Sequence, residues 1–173
     1  IGERLPGGYL AWKSSGTTGT QGLFVQDAAS LAVYDALVAV QLEEEPYASA
    51  CANLTSAAPR SALVVATNDH FASIASWTRM CSGLPATVAR AFPVLDPLPR
   101  LVEDLNGFRP DFLAAYPSVL SILAAERHAG RLRAAPTLLW SGGETLSRAA
   151  RGRIEEAFGV PVINEYGASE CLS

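Results

Sequence analysis

The sequence predicts an α/β fold, a mainly parallel sheet flanked by helices. Three observations carry this. From Ala62 onward, apolar β-rich runs alternate with helical patterns, at a spacing of about 25 residues, the length of one βα unit. Polar and glycine residues recur directly after these runs, at the strand ends where ligands bind in such folds. Near the start, a glycine- and hydroxyl-rich stretch separates two short β-like runs.

Tyr9 to Lys13 and Leu23 to Gln26 are the two short strands that flank this stretch. Between them lies Lys13-Ser14-Ser15-Gly16-Thr17-Thr18-Gly19-Thr20-Gln21-Gly22. Glycine admits positive φ, so successive N–H groups can point into one concavity, and the hydroxyls add donors without bulk. Such a loop suits an anion, most often a phosphate. A solvent-exposed tight turn is the alternative. No Gly-Lys-Ser/Thr closes the stretch and no helix follows at once, which excludes a Walker loop and a dinucleotide fingerprint.

Ser30 is a suitable N-cap for a helix from Leu31 to about Glu44. Its nearly all-round apolar character predicts burial. Glu43-Glu44-Glu45-Pro46 ends it, and residues 46 to 60 read as a loop. Strands are then expected at Ala62–Thr67, Thr87–Phe92, Phe112–Tyr116, Thr137–Trp140 and Val160–Ile163. The intervening helices are His70–Cys81, Leu98–Phe108, Ser118–Ala129 and Leu146–Phe158. In the last, Ala150, Ile154, Ala157 and Phe158 share one face, with Arg151, Arg153, Glu155 and Glu156 away from it. Gly159 is its C-terminal stop and Pro161 begins the next strand. Asp69, Ser118 and Thr145 would be ordinary N-caps.

Composition narrows the function classes. At 173 residues one domain is expected, with chain enough for a sizeable core. A net charge of −4, scattered arginines and a single lysine argue against a nucleic-acid surface. Cys51, Cys81 and Cys171 have no metal-ligand spacing and read as buried free thiols of a reducing, cytoplasmic compartment. No signal peptide is evident, and the longest apolar stretch, Ala28 to Leu42, is too short to span a bilayer.

After the strands come Asn68-Asp69-His70-Phe71, then Tyr116-Pro117-Ser118, then Ser141-Gly142-Gly143-Glu144-Thr145, then Asn164-Glu165-Tyr166-Gly167-Ala168-Ser169-Glu170. Capping explains part of this, but not a ring, a hydroxyl and a carboxylate within five residues. Ser15 to Gly19 resemble the Ser-Gly-Thr-Thr-Gly-x-Pro-Lys phosphate loop of adenylate-forming (AMP-binding) enzymes. Gln21 and Gly22 stand where proline and lysine usually stand, which leaves the loop without its own cation. The stretch from Asn164 to Glu170 resembles the Asn/Asp-x-Tyr-Gly-x-Thr/Ser-Glu motif of the same superfamily. The order of features is closest to the phenylacetate–CoA ligase branch.

The resemblance implies a single partial AMP-binding domain over residues 1–173, with a phosphate-loop region at 1–30 and βα units over 31–173. It places the chain in the large N-terminal domain of such an enzyme. The C-terminal lid domain with its lysine would lie elsewhere, so the fragment alone is expected to be inactive. It implies ATP-dependent activation of a carboxylic acid, with an aryl acid favoured, to an acyl-adenylate, then transfer to coenzyme A. A carrier-protein thiol or a deazaflavin hydroxyl is an alternative acceptor. A nucleotide-binding module that has lost catalysis is an alternative of another class. By resemblance, Ser15, Gly16, Thr17, Thr18 and Gly19 hold the β- and γ-phosphates, and Glu170 holds Mg²⁺. Ser169 donates to the α-phosphate, and Tyr166 and Gly167 lie at the adenine, with Tyr166 stacked on it. Asn164 bonds the exocyclic amine, and Gly142, Gly143 and Glu144 wall the base. His70, Phe71 and Tyr116 belong to the acyl pocket. Other readings remain for three of these. His70 is a cap or core residue, Tyr166 is core, and Glu170 is a solvated charge.

Overall fold

The computed structural model describes residues 3–5, 8–14, 19–43, 48–49, 59–67 and 71–167. Two sheets organise them. The first is an antiparallel ribbon of β1 (Glu3–Leu5), β2 (Tyr9–Lys13) and β3 (Leu23–Gln26), in that order. β2 and β3 coincide with the expected strands, while β1 is an edge strand that sequence reading missed, being three residues long. The second sheet holds β4 (Ser61–Val65), β5 (Ala89–Pro93), β6 (Phe112–Ala115), β7 (Leu138–Ser141) and β8 (Val162–Asn164). Its order is β5-β4-β6-β7-β8 and every pair is parallel.

Five helices with given bounds accompany the strands: α1 (Ala28–Glu43), α2 (Ala72–Met80), α3 (Leu98–Phe108), α4 (Pro117–His128) and α5 (Arg148–Phe158); residues 48 and 49, in the stretch expected to be a loop, are helical as well. The chain steps from β4 to β5 in one direction, then back past β4 to β6. A constant crossover hand therefore puts α2 on one face and α3 to α5 on the other. The core divides accordingly. Ala62, Val64, Leu113, Ala115, Leu139 and Val162 point toward α3, α4 and α5, where Leu105, Leu120, Leu123 and Ile154 are wholly buried. Their alternates Leu63, Val65 and Ala114 meet Ile74 of α2, and Ile163 and Leu138 meet Leu42 of α1. This period of two reflects strands covered on both faces. Each fully buried leucine contributes about 1.5–3 kcal/mol.

Several sequence expectations are corrected. α1 begins at Ala28, because Asp27 rather than Ser30 caps it: the Ser30 N–H donates to Asp27 Oδ1 at 2.8 Å. That backbone donor also holds the Asp27 carboxyl below its ordinary range. Nor is α1 buried all round. Leu31 and Tyr34 are buried, but Val33, Leu37 and Val40 are more than half exposed. One stripe meets the rest of the described chain, so apolar composition overstated the burial of this helix. α4 is capped from Tyr116, with Pro117 at its first position and Ser118 inside the first turn. α5 is capped by Ser147, whose hydroxyl accepts from the Ala150 N–H, and not by Thr145. Asp69 lies outside the described residues, as does most of the loop expected at 46 to 60.

Gly159 ends α5 at a φ of 72°, as expected. Arg151 and Glu155, expected off the apolar face of α5, lie beside it half-buried and grip β8. Arg151 Nη1 donates to the Val162 carbonyl at 2.6 Å, and Glu155 Oε1 accepts from the Val162 N–H at 3.0 Å. β8 starts at Val162, after Pro161, which has no N–H to offer a ladder.

Candidate nucleotide site at the carboxyl edge

Parallel register decides which loops meet. Ala115 pairs with Ser141, and Ser141 with Asn164, so the three are level on β6, β7 and β8. The next residues, Tyr116, Gly142 and Glu165, therefore leave the sheet side by side. Gly143 has a φ of 78°, and a Cβ there would lie 3.0 Å from Tyr116 Cε1. Only glycine suits both the backbone and the ring. A Cβ on Gly142 would meet the Glu165 carbonyl at 3.6 Å. The Glu144 carboxylate turns back to α4, accepting from the Ser118 N–H and hydroxyl at 3.0 Å each. A negative charge there complements the exposed N–H groups of the helix start.

The ribbon is docked at the same edge. Lys13 forms a parallel bridge with Phe71, which follows β4 and precedes α2. Leu10 and Trp12 of β2 pack with Leu31 of α1 and Ala75 of α2. The neck of the glycine loop closes through Ser14 and Gly22: Ser14 N donates to the Gly22 carbonyl, and Gly22 N donates to Ser14 Oγ, both at 2.9 Å. A Cβ on Gly22 would lie 2.9 Å from the Phe24 ring, so the position can take no side chain unless that ring moves. Gly19, at a φ of 140°, uses the freedom expected of it. Ser15, Gly16, Thr17, Thr18, His70, Ser169 and Glu170 lie outside the described residues.

The structure thus brings together Phe71, Tyr116, Gly142, Gly143, Glu144, Asn164, Tyr166 and Gly167 around one edge. Tyr166 is 80% exposed and is not core. Asn164 Oδ1 and Ser141 Oγ are buried without a hydrogen-bond partner among the described residues. No group of three His, Cys, Asp or Glu suited to a metal occurs among those residues. Two surface grooves lie elsewhere: one of about 710 Å³ runs along α3 from Leu98 to Arg109, and one of about 480 Å³ lies at the amino edge beside Arg60, Asp111 and Arg133. None of the sequence-predicted site residues borders them, and the larger groove is mostly apolar, so size does not mark the chemistry here.

Sequence reading missed three residues at this edge. Glu165 accepts from the Trp140 indole N–H at 2.7 Å and from the Tyr34 hydroxyl at 3.1 Å. Burial is the main cause that raises its carboxyl above the ordinary range, and the two donors oppose it. Burial, then the neighbouring carboxylate, raises the Tyr34 phenol too. One signal was available: a tyrosine on an apolar helix needs a partner for its hydroxyl when it is buried.

The edge lies beyond the carboxyl ends of a parallel sheet with helices on both faces, the place where ligands bind in such folds. The chain belongs to the AMP-binding enzyme family, whose model matches residues 14–173. Among solved structures it is similar to VinN, with a TM-score of 0.60 and 16% identity over 96% of this chain and 38% of that one. It is similar to 2-hydroxyisobutyryl-CoA ligase in complex with 2-HIB-AMP and CoA, with a TM-score of 0.56 and 22% identity over 92% of this chain and 33% of that one. ATP-bound MatB from Rhodopseudomonas palustris aligns with a TM-score of 0.55 and 18% identity, over 92% of this chain and 29% of that one. At these identities the likeness concerns the fold, and the chain spans well under half the length of these proteins. No curated protein matches it. Among the described residues, no helix is long and apolar enough to cross a membrane.

Proposed function

We propose that this chain is the central part of an ATP-dependent carboxylate–CoA ligase that forms an acyl-adenylate and then a thioester. The observation that supports this best is the level row of Tyr116, Gly142 and Glu165, with Asn164 and Tyr166 at its rim, facing the ribbon that carries the glycine loop. Tyr166 offers an exposed ring for an adenine, and Asn164 an acceptor without a partner among the described residues for its exocyclic amine. The reaction sets an anionic carboxylate against a triphosphate, so charge must be neutralised and the groups held in line. Glu170 is the carboxylate proposed for Mg²⁺ and Ser169 the α-phosphate donor. Ser15 to Gly19 are proposed for the β- and γ-phosphates. His70, Phe71 and Tyr116 are proposed for the acyl pocket, and resemblance favours an aryl acid of the phenylacetate type.

The proposed setting is cytoplasmic, where ATP and coenzyme A are available and thiols such as Cys81, which is free, stay reduced. Gly22 favours a second reading, a nucleotide-binding module without catalysis, since the loop lacks the cation its relatives place there. The deciding experiment is ATP–pyrophosphate exchange by the full-length protein across a panel of aryl and alkyl acids, with thioester formation followed separately. Acid-dependent exchange supports the ligase. ATP binding without exchange for any acid supports the second reading. Exchange without coenzyme A acylation redirects the acceptor to a carrier thiol.

A further inference from the structure

Glu165 sits between Asn164 and Tyr166, the two residues proposed to read the adenine, yet its own side chain turns away from the edge. β8 alternates. Val162 faces α3 to α5, Ile163 faces α1, and Asn164 returns to the first face. Glu165 is accordingly on the α1 face. There its two carboxylate oxygens meet donors from two other elements, Trp140 of β7 and Tyr34 of α1. Tyr34 is 131 positions away in the chain. The Glu165 backbone N–H donates to the Ser141 carbonyl at 2.8 Å, extending the ladder one residue past the last strand pair. Three hydrogen bonds thus hold one residue at the point where β8 becomes a loop. A partly buried carboxylate is costly unless its oxygens are bonded, and the same bonds leave the backbone on either side few alternatives.

We infer that Glu165 is a positioning residue for nucleotide recognition: through Trp140 and Tyr34 it fixes the backbone that aims Asn164 and Tyr166 at the base. It touches no reacting atom. Its expected signature is a weaker and less selective hold on the purine, with the chemical step little changed. This inference rests on the proposed adenylate-forming reading.

The test uses the full-length protein, with pyrophosphate exchange and direct binding of ATP and GTP. Glu165→Ala removes both anchors and should raise the ATP KM about tenfold or more, narrow the preference for ATP over GTP, and change kcat about threefold or less. Glu165→Gln should restore wild-type values. Its amide oxygen can accept from Trp140 while its NH₂ donates to Tyr34, whose hydroxyl can also accept. Tyr34→Phe should show a smaller rise in KM, and it decides the matter if the alanine variant does not fold. An unchanged KM in Glu165→Ala, or in Tyr34→Phe should that variant be needed, overturns the inference. So does a glutamine variant as impaired as alanine, since charge and not anchoring would then matter. A wild-type protein that neither binds ATP nor exchanges pyrophosphate overturns the proposed function, and this inference with it. Wild-type activity with indifferent variants overturns this inference alone.

Discussion

The indole N–H of Trp140 donates to Glu165 Oε2 at 2.7 Å, joining the end of β7 to the turn that follows β8. The Trp140 ring also packs edge-on against Phe112, with centroids 6.2 Å apart. Trp140→Phe keeps much of that packing and removes the donor. A partly buried carboxylate then keeps one side-chain donor of two, and the expected loss is about 1–3 kcal/mol of stability. Urea denaturation of both proteins measures it, and equal midpoints would mean that solvent replaces the indole at no cost.

Glu165 also sets a pH dependence. Its folded carboxyl is raised above the unfolded value near 4.5, chiefly by burial. The folded state therefore holds the proton more tightly than the unfolded chain. The stability this contributes is fully present below the unfolded value and is lost as pH rises through the raised one. Against the neutral Glu165→Gln, the wild type should thus lose relative stability on going from about pH 4 to about pH 7. Denaturation of the pair across that range checks it. The opposite slope would show that the donors from Trp140 and Tyr34 outweigh desolvation.

Gly143→Ala meets two obstacles at once. The backbone stands at a φ of 78°, and the new methyl would lie 3.0 Å from Tyr116 Cε1. Together they should cost about 1–3 kcal/mol. Adding Tyr116→Ala should return the steric share but not the backbone share, so the double mutant should be less than additive. Thermal unfolding of the three variants gives the cycle, and strict additivity would mean that ring and methyl do not compete.

In the full-length protein, Glu170→Gln should lower pyrophosphate exchange on the order of a hundredfold or more, because glutamine keeps the shape but loses the charge proposed to hold Mg²⁺. Raised Mg²⁺ should recover part of the loss. Rates equal to wild type at limiting Mg²⁺ would remove Glu170 from the mechanism.

From β2 onward the sequence by itself determined the order of the named strands and helices, because that order is written in local periodicity. Leu98–Phe108 and the ribbon strands Tyr9–Lys13 and Leu23–Gln26 were legible to the residue. So was the collection of Tyr116, Gly142 to Glu144 and Asn164 to Gly167 at strand ends, since parallel strands place all such ends on one edge. Caps were less legible. Asp27 competes with neighbouring Ser30 of equal propensity, and Ser147 with Thr145, which ranks only modestly below it, so the path of the entering chain does most of the selecting. Tertiary structure alone decided that half of α1 stays uncovered, because burial belongs to the partner surface and not to the helix. It alone decided that Gly22 is filled by the Phe24 ring, and that Tyr34 meets Glu165 across 131 positions. Those contacts join segments whose local patterns carry no information about each other. Their geometry exists only once the sheet has set the distances between them.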